Sequence, residues 1–189
     1  DGAYLAELLL KKKYKVYGIT RNRSSLSKSR LKFLQVNKKI NYLNSNLTEH
    51  SKIVNYIKKI KPNFFFNLAA ESRVTYDDPI YTDKINNQSV INILEGIRLF
   101  SKKTKFYQAS SAEIYGLHNK NKIKLNEKSY FNPISPYSIA KLSSFYYVKM
   151  YRNYFNIFAS NGILFHHESP LRGEDFVSKK IVKALTKIK

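Results

Sequence analysis

Apolar residues along the chain recur with two spacings, one typical of helices and one typical of buried strands. Between residues 49 and 59 they return every three or four positions, at Ile53, Tyr56 and Ile57, which places them on one helix face. Residues 64–66 are three consecutive phenylalanines, a run that suits a strand covered on both faces. These criteria predict helices over 1–12, 49–59, 83–101, 137–153 and 175–188, strands over 14–19, 40–43, 63–68, 105–109 and 156–165, and a polar turn over 20–29.

Predicted strands and helices alternate at the spacing of βαβ units, which indicates an α/β protein with a doubly wound parallel sheet. In such sheets, ligands bind beyond the carboxyl ends of the strands. The residues that carry chemistry are therefore expected in the loops after Ile19, Leu43, Leu68, Ala109 and Leu164.

The chain has 189 residues, no cysteine and a formal net charge of +21. Such a charge is typical of nucleic-acid-binding proteins. Lysines are scattered over nearly all the predicted polar faces, however, so a general compositional bias explains the charge better and nucleic acid is not predicted as a partner. No apolar run is long enough to span a bilayer and the first residues do not form a signal peptide, so a membrane is not predicted as a partner either. The absence of cysteine fits a reducing compartment, and we expect a cytoplasmic location.

Tyr137 and Lys141 lie four residues apart in a predicted helix and therefore on the same face of it. An ammonium beside a phenol lowers the pKa of the tyrosine, so Tyr137 could take a proton from a sugar hydroxyl near neutral pH. Ser111 follows the strand over 105–109 and could hydrogen-bond the same hydroxyl, while Glu113 could act as a second acid or base. The plainer interpretation is a surface pair at Tyr137 and Lys141 and a surface acid at Glu113.

Three stretches are candidates for binding a dinucleotide. Gly2 opens the first helix, where close packing in a dinucleotide-binding turn would exclude a side chain, although a simple helix-start glycine has the same position. Arg21 and Arg23 stand in the turn after the first strand, where NAD-binding proteins place an acid, so NADP with its 2′-phosphate is favoured over NAD. A solvated basic turn is the alternative. The small residues of segment 68–72 would let a flat ligand approach the backbone, or would serve helix packing alone.

Eight separated blocks of sequence carry a resemblance to a known family. They are DGAYLAELL (1–9), YQAS (107–110), EIYG (113–116), SPY (135–137), AKL (140–142), NGILF (161–165), HESP (167–170) and RGE (172–174). In this order they resemble the extended short-chain dehydrogenases that act on nucleotide sugars, and most closely the GDP-mannose 4,6-dehydratase family.

The resemblance implies an NADP-binding Rossmann fold and a substrate, GDP-mannose, that is oxidised at C4, loses water across C5 and C6, and receives the hydride back at C6. Carried over by position, Tyr137 is the base at the C4 hydroxyl, and Lys141 tunes it and holds the nicotinamide ribose. Ser111 stands where the family usually has Thr, and Glu113 matches the carboxylate that handles the C5 proton. The cofactor-binding positions so implied are Gly2, Arg21, Asn46, Leu47, Leu68, Ala69, Ala70, Ser72, Tyr81, Lys141, His167 and Arg172.

Two departures from the family pattern concern the cofactor: Asn46 stands where an Asp usually contacts the adenine, and Asn22 replaces a usual second Arg. The family has a first strand before residue 1 and most of its substrate-binding domain after residue 189. We therefore expect a fragment lacking both ends, with a partial Rossmann domain over 1–164 and the start of a substrate-binding domain over 165–189. The family's members associate, which implies a homo-oligomer.

Three alternatives remain open on the sequence. Another epimerase or decarboxylase of the same superfamily is the nearest; epimerases commonly lack a carboxylate at the Glu113 position, and the block from His167 to Arg172 disfavours decarboxylases. A basic nucleic-acid-binding module predicts lysines and arginines clustered on one face and binding that weakens steeply with salt. A non-catalytic interaction module is disfavoured because Tyr137 and Lys141 are both present.

Overall fold

The computed structural model describes residues 1–21, 26–72, 76–116, 124–174 and 176–188. The strands are β1 (Tyr17–Thr20), β2 (Asn41–Asn44), β3 (Phe64–Asn67), β4 (Lys105–Ser111) and β5 (Ala159–Leu164). The helices are α1 (Gly2–Lys11), α2 (Leu26–Phe33), α3 (His50–Ile60), α4 (Pro79–Asp83), α5 (Ser89–Phe100), α6 (Pro136–Phe155) and α7 (Val177–Ile188). A π turn over Lys84–Gln88 joins α4 to α5, and short 3-10 turns cover Asn37–Lys39 and Ala112–Tyr115.

All strand pairs among the described residues are parallel, and they form two sheets. Strands β1 and β2 pair over four residues each, and β3, β4 and β5 form a second sheet in that order. In the second sheet β4 lies in the centre, with Asn67 opposite Gln108 and Gln108 opposite Asn161. The carboxyl ends of β3, β4 and β5 therefore meet at one edge of this sheet, as the βαβ pattern predicts.

The larger hydrophobic core lies between the second sheet and helices α3, α5 and α6. Its buried members are Ile53, Ile57, Val90, Ile93, Leu94, Ile97, Phe106, Val148, Tyr151, Ile157 and Ala159. Helix α3 begins and ends within one residue of its prediction, because its apolar positions recur with the helical period and Lys61 ends it in the left-handed conformation. A second, smaller cluster of buried residues consists of Ala6, Val36 and Ile40.

One polar cluster joins α5 to α6 beside the larger core. The Arg98 guanidinium donates two hydrogen bonds to the Glu95 carboxylate, at 2.8 and 2.7 Å, and the Tyr151 hydroxyl donates to Glu95 Oε1 at 2.5 Å. Burial and the Glu95 carboxylate raise the pKa of Tyr151 far above its ordinary value, which keeps this phenol a hydrogen-bond donor.

Two sequence predictions about these elements were wrong. The phenylalanine strand is covered on one face only, because Phe64 and Phe66 are 40% and 36% exposed while Phe65 packs against the core. The predicted polar turn over 20–29 ends earlier, since α2 starts at Leu26. Helix α2 is rich in lysine and serine and carries little apolar periodicity, so the pattern that revealed the other helices is missing there. Within the described ranges, no helix combines the length and apolar character needed to cross a membrane.

Candidate active site

Four predicted catalytic residues meet at the carboxyl end of β4. Ser111 is the last residue of β4, and its hydroxyl accepts a hydrogen bond from the Glu113 backbone N–H at 3.2 Å, which turns the chain sharply after the strand. Gly116 then leaves this turn with φ of +64°, and a Cβ at that position would lie 1.7 Å from the Asn132 carbonyl oxygen. The turn therefore needs glycine, and it holds Glu113 beside Ser111.

Helix α6 begins where a capping box fixes its first turn. Ser135 accepts from the Ser138 backbone N–H at 3.1 Å, and the Ser138 hydroxyl accepts from the Ser135 backbone N–H at 2.9 Å. Pro136 follows at the first helical position, where its missing N–H costs nothing. This start places half-buried Tyr137 close to Ser111 and within reach of the charge of Glu113.

Lys141 lies one turn further along α6 and is 2% exposed. Its ammonium donates a hydrogen bond to the Ala109 carbonyl at 2.8 Å, and its Nζ lies 5.8 Å from the centroid of the Tyr137 ring. The structure thus confirms that Tyr137 and Lys141 share one helix face. Burial lowers the pKa of Lys141 to about 8.

The expected effect of Lys141 on Tyr137 is not found. Burial raises the pKa of Tyr137 above its ordinary value, the nearby Ser111 hydroxyl lowers it, and the Glu113 charge raises it. The prediction of a lowered pKa was therefore wrong in direction, because the Lys141 ammonium is committed to the Ala109 carbonyl rather than to the phenol oxygen. Of the groups around Tyr137, Ser111 is the one that favours its phenolate.

A pocket of about 440 Å³ opens at the carboxyl ends of β1 and β2. It is lined by Arg21, Asn44, Ser45, Asn46, Thr48, Glu49 and Lys52. Two predicted cofactor residues, Arg21 and Asn46, are therefore neighbours, and Arg21 Nη1 donates to the hydroxyl of a third, Tyr81, at 2.5 Å. Arg23 and Asn22 lie outside the described residues. The dimensions and the cations of this pocket suit the phosphate-bearing half of a dinucleotide.

The pocket also contains an acid that the sequence analysis missed. Glu49 Oε2 accepts hydrogen bonds from the Asn46 backbone N–H at 2.8 Å and from the Ser45 hydroxyl at 3.1 Å, and Glu49 Oε1 accepts from Lys52 at 2.6 Å. The hydrogen bond from Lys52 and that from the Asn46 backbone lower the pKa of Glu49. Glu49 follows the second strand rather than the first, so inspection of the first turn could not reveal it.

Buried asparagines hold the two loops that carry most of the remaining predicted contacts. Asn86, 1% exposed and inside the π turn, accepts from the Glu71 backbone N–H at 3.1 Å and donates to the Glu71 carbonyl at 3.0 Å. Asn92 donates to the Leu47 carbonyl at 3.1 Å. Around Glu71 the side chains of Ala69, Ala70 and Ser72 are exposed and Leu68 is partly buried, so this segment offers its backbone to a ligand.

The last predicted contacts gather at the start of α1. His167 Nε2 lies 2.9 Å from both carboxylate oxygens of Asp1. Arg172 stacks on the Phe176 ring at 3.6 Å, and its Nε lies 3.4 Å from the Glu168 carboxylate. Within this chain, a Cβ at Gly2 would meet its nearest neighbour, Leu68 Cδ1, at an ordinary 4.0 Å. A role of Gly2 in cofactor binding stays a prediction.

In the part of the chain that the structure describes, no three or more His, Cys, Asp or Glu side chains are grouped so that they could hold a metal ion. The chemistry available at the β4 edge is proton transfer, through one phenol, one hydroxyl, one carboxylate and one ammonium.

Comparison with known proteins links this arrangement to one family. The family model described as GDP-mannose 4,6 dehydratase matches residues 1–189. The chain is 40% identical over 197 residues to a GDP-mannose 4,6-dehydratase of Yersinia enterocolitica and 38% identical over 200 residues to a human GDP-mannose 4,6 dehydratase, in both cases over all of its own length. It spans 52% and 53% of these two relatives, about half the length of each.

Solved structures share the fold at lower identity. UDP-glucuronic acid 4-epimerase of Bacillus cereus, solved with NAD, superimposes over the whole chain with a TM-score of 0.82 at 21% identity, and the chain covers 61% of it. dTDP-glucose 4,6-dehydratase of Bacillus anthracis, also solved with NAD, gives a TM-score of 0.82 at 19% identity, and the chain covers 58% of it. These likenesses confirm the predicted parallel α/β dinucleotide-binding (Rossmann) fold.

Proposed function

This chain belongs to the GDP-mannose 4,6-dehydratase family, and from this premise we propose that its protein converts GDP-D-mannose to GDP-4-dehydro-6-deoxy-D-mannose. The observation that carries the proposal is the grouping of Tyr137, Ser111 and Glu113 at one strand end. An oxidation at C4 needs one base, and an elimination across C5 and C6 needs a second acid or base. The grouping supplies both within one site.

Each residue has a distinct part in the proposed reaction. Tyr137 takes the proton of the C4 hydroxyl while Ser111 holds the phenol and the hydroxyl in line. A bound nicotinamide supplies the reversible acceptor for the C4 hydride. Glu113 takes the C5 proton that the adjacent C4 ketone makes acidic and returns it to the C6 hydroxyl, which leaves as water. The proton that Tyr137 took from the C4 hydroxyl balances the one that C5 receives when C6 accepts the hydride, so a bound dinucleotide would be recovered unchanged.

We propose NADP as the dinucleotide, held by Arg21 and the pocket around Asn46, with Lys141 on the nicotinamide ribose. Arg21 supports the 2′-phosphate because a guanidinium binds phosphate in a bidentate way. Glu49 in the same pocket is the observation that favours NAD instead, because a carboxylate accepts from a ribose 2′-hydroxyl and repels a phosphate. Measuring the dissociation constants of NADP and NAD for wild type and Arg21→Gln decides between them. NADP should bind more tightly to wild type, and the substitution should weaken NADP alone.

The exposed side of α6 supports a homo-oligomer. Tyr146, Met150 and Tyr154 follow one another at four-residue intervals and are 51%, 39% and 80% exposed, so they form an apolar stripe on one helix face. Light scattering of the protein should give a mass larger than one subunit, and Tyr146→Lys should reduce it. The lack of cysteine supports a reducing, cytoplasmic setting. Residues 1–164 are proposed to form the dinucleotide-binding part and residues 165–189 to open the substrate-binding part.

Product analysis tests the function directly. The full-length protein is incubated with GDP-mannose and NADP, and the product is examined by mass spectrometry and NMR. A 4-keto-6-deoxy sugar nucleotide is expected, and Tyr137→Phe should lower kcat by roughly 100-fold or more. Tyr130→Phe, which makes the same change at an exposed tyrosine outside α6, is the matched control and should keep full activity. An epimerised product that keeps all its oxygens would instead identify an epimerase, and no reaction with any sugar nucleotide would overturn the proposal.

A further inference from the structure

Three amide side chains lie in register across the central strands of the second sheet. Asn67 on β3 is opposite Gln108 on β4, and Gln108 is opposite Asn161 on β5. Residues opposite each other on neighbouring strands point to the same face, so the three amides form one row. Gln108 is 0% exposed and Asn67 is 3% exposed. Burying amides in the middle of a sheet costs free energy unless they are hydrogen-bonded. Packing alone therefore does not explain why amides rather than apolar side chains occupy these positions.

The row ends on the carbonyl that holds the buried lysine. Asn67 Nδ2 donates to Gln108 Oε1 at 2.8 Å, and Gln108 Nε2 donates to the Ala109 carbonyl at 3.2 Å. The Lys141 ammonium donates to this same carbonyl at 2.8 Å. The Ala109 oxygen thus accepts from the amide and from the lysine together, and Asn67 fixes the orientation of the amide.

The other end of the row contacts the same helix. Asn161 Nδ2 donates to the Phe145 carbonyl on α6 at 3.1 Å. Tyr137, Lys141 and Phe145 are spaced at four-residue intervals, so they follow one another along one face of α6. The amide row therefore touches α6 at Phe145 directly and at Lys141 through the Ala109 carbonyl.

We propose that Gln108, supported by Asn67, is a positioning residue that holds Lys141, and with it the catalytic face of α6, in register with the end of β4. The expected loss of kcat rests on the proposed function, whereas the expected position of the Lys141 ammonium does not. Gln108 does not touch the substrate in this account. It acts by fixing the carbonyl on which the Lys141 ammonium sits.

A pair of variants separates positioning from simple stability. Gln108→Met removes the donor to the Ala109 carbonyl and also leaves the Asn67 amide buried without its acceptor, so it should lower both the unfolding temperature and kcat. Asn67→Leu combined with Gln108→Met removes that orphaned amide as well, and replacing both partners of a buried hydrogen bond by apolar groups of similar shape is close to neutral for stability. The double variant should therefore regain thermal stability while kcat stays about 10- to 100-fold below wild type, because small displacements of a catalytic group are enough for such losses.

The KM and the pH–rate profile of the double variant distinguish a positioning role from a change in stability. The KM for GDP-mannose should change by less than about threefold, and the pH–rate profile of the double variant should be displaced from that of wild type, which a change in stability alone would not produce. Gln35→Met makes the same chemical change at an exposed position and should leave kcat and the profile unchanged. A double variant that recovers wild-type kcat along with its stability overturns the proposal.

A structural measurement tests the inference independently of any activity. Crystal structures of wild type and the double variant should show that Lys141 Nζ leaves hydrogen-bond distance of the Ala109 carbonyl in the variant only. If the protein makes no dehydratase product, the proposed function fails while this measurement still decides the role of Gln108. If Nζ stays on the carbonyl in the double variant, the positioning role is refuted even in a fully active enzyme.

Discussion

Replacing Lys141 by methionine should change how stability depends on pH. Burial lowers the pKa of Lys141 from 10.5 to about 8 in the folded protein. At about 1.4 kcal/mol for each pKa unit, the folded state disfavours the protonated lysine by roughly 3 kcal/mol. The shift comes from burial of a side chain that is 2% exposed, so little of it is lost to solvent screening.

The sign of the effect follows from proton binding. The folded-state pKa of about 8 lies below the unfolded-state value of 10.5, so between these values the unfolded chain binds more protons than the folded protein. Stability therefore rises with pH across this window as the folded lysine becomes neutral, and the penalty applies in full below pH 8. Between pH 7 and pH 10 the contribution of Lys141 should become less unfavourable by roughly 2 to 3 kcal/mol.

Urea unfolding measures this contribution. The free energy of unfolding of wild type and of Lys141→Met is determined at several pH values from 7 to 10, and the difference between the two is plotted against pH. Methionine keeps the length of the side chain but cannot bind a proton, so the titration of all other groups cancels in the difference. Lys149→Met, at an exposed lysine two turns further along α6, is the control and should give a flat line. A difference for Lys141→Met that changes by less than about 0.5 kcal/mol over this range would refute the reasoning.

Three further predictions concern single residues. Glu113→Gln should lower formation of the 6-deoxy product by about 100-fold while single-turnover reduction of NADP persists in a fluorescence assay; loss of both together would contradict the assigned role. Tyr151→Phe removes the hydroxyl that donates to Glu95 and should lower the free energy of unfolding by about 1 kcal/mol in a urea titration, without changing kcat. Asn86→Leu removes both hydrogen bonds to the Glu71 backbone, so it should raise the KM for the dinucleotide by about tenfold with kcat within about threefold. An unchanged KM would show that the Glu71 loop needs no such support.

Sequence periodicity located the elements whose apolar residues reach the large core. Ile53 and Ile57 on α3 are 0% and 2% exposed, as their spacing predicts. Coverage of a strand is harder to predict, because a run such as Phe64 to Phe66 does not show whether another layer lies on each side. The π turn over Lys84–Gln88 leaves no trace in the hydrophobic pattern, since one extra residue per turn shifts the phase only locally.

The site was predictable to the extent that its residues follow strand ends. Ser111 and Glu113 were found this way, and the helical spacing of Tyr137 and Lys141 is confirmed. The pKa of Tyr137 could not be predicted from that spacing, because it depends on burial and on the group to which the Lys141 ammonium donates its hydrogen bond. Glu49 was not predicted as a residue of the cofactor pocket, because this pocket joins two loops that lie far apart along the chain.

The small cluster of Ala6, Val36 and Ile40 has a consequence for local opening of the molecule. It packs beside the sheet of β1 and β2, and Ile19 of β1 also contacts the larger core. All four residues of β1 are nevertheless only partly buried, whereas four of the seven residues of β4 are buried. Regions with fewer buried apolar contacts open at lower free energy, so the amide hydrogens of Tyr17–Thr20 should exchange with solvent faster than those of Lys105–Ser111. The pocket around Arg21 lies at the end of this sheet, and a dinucleotide bound there would lower the exchange rate in proportion to the fraction of protein that remains without it. Amide exchange in β1 would thus report on dinucleotide binding without any turnover.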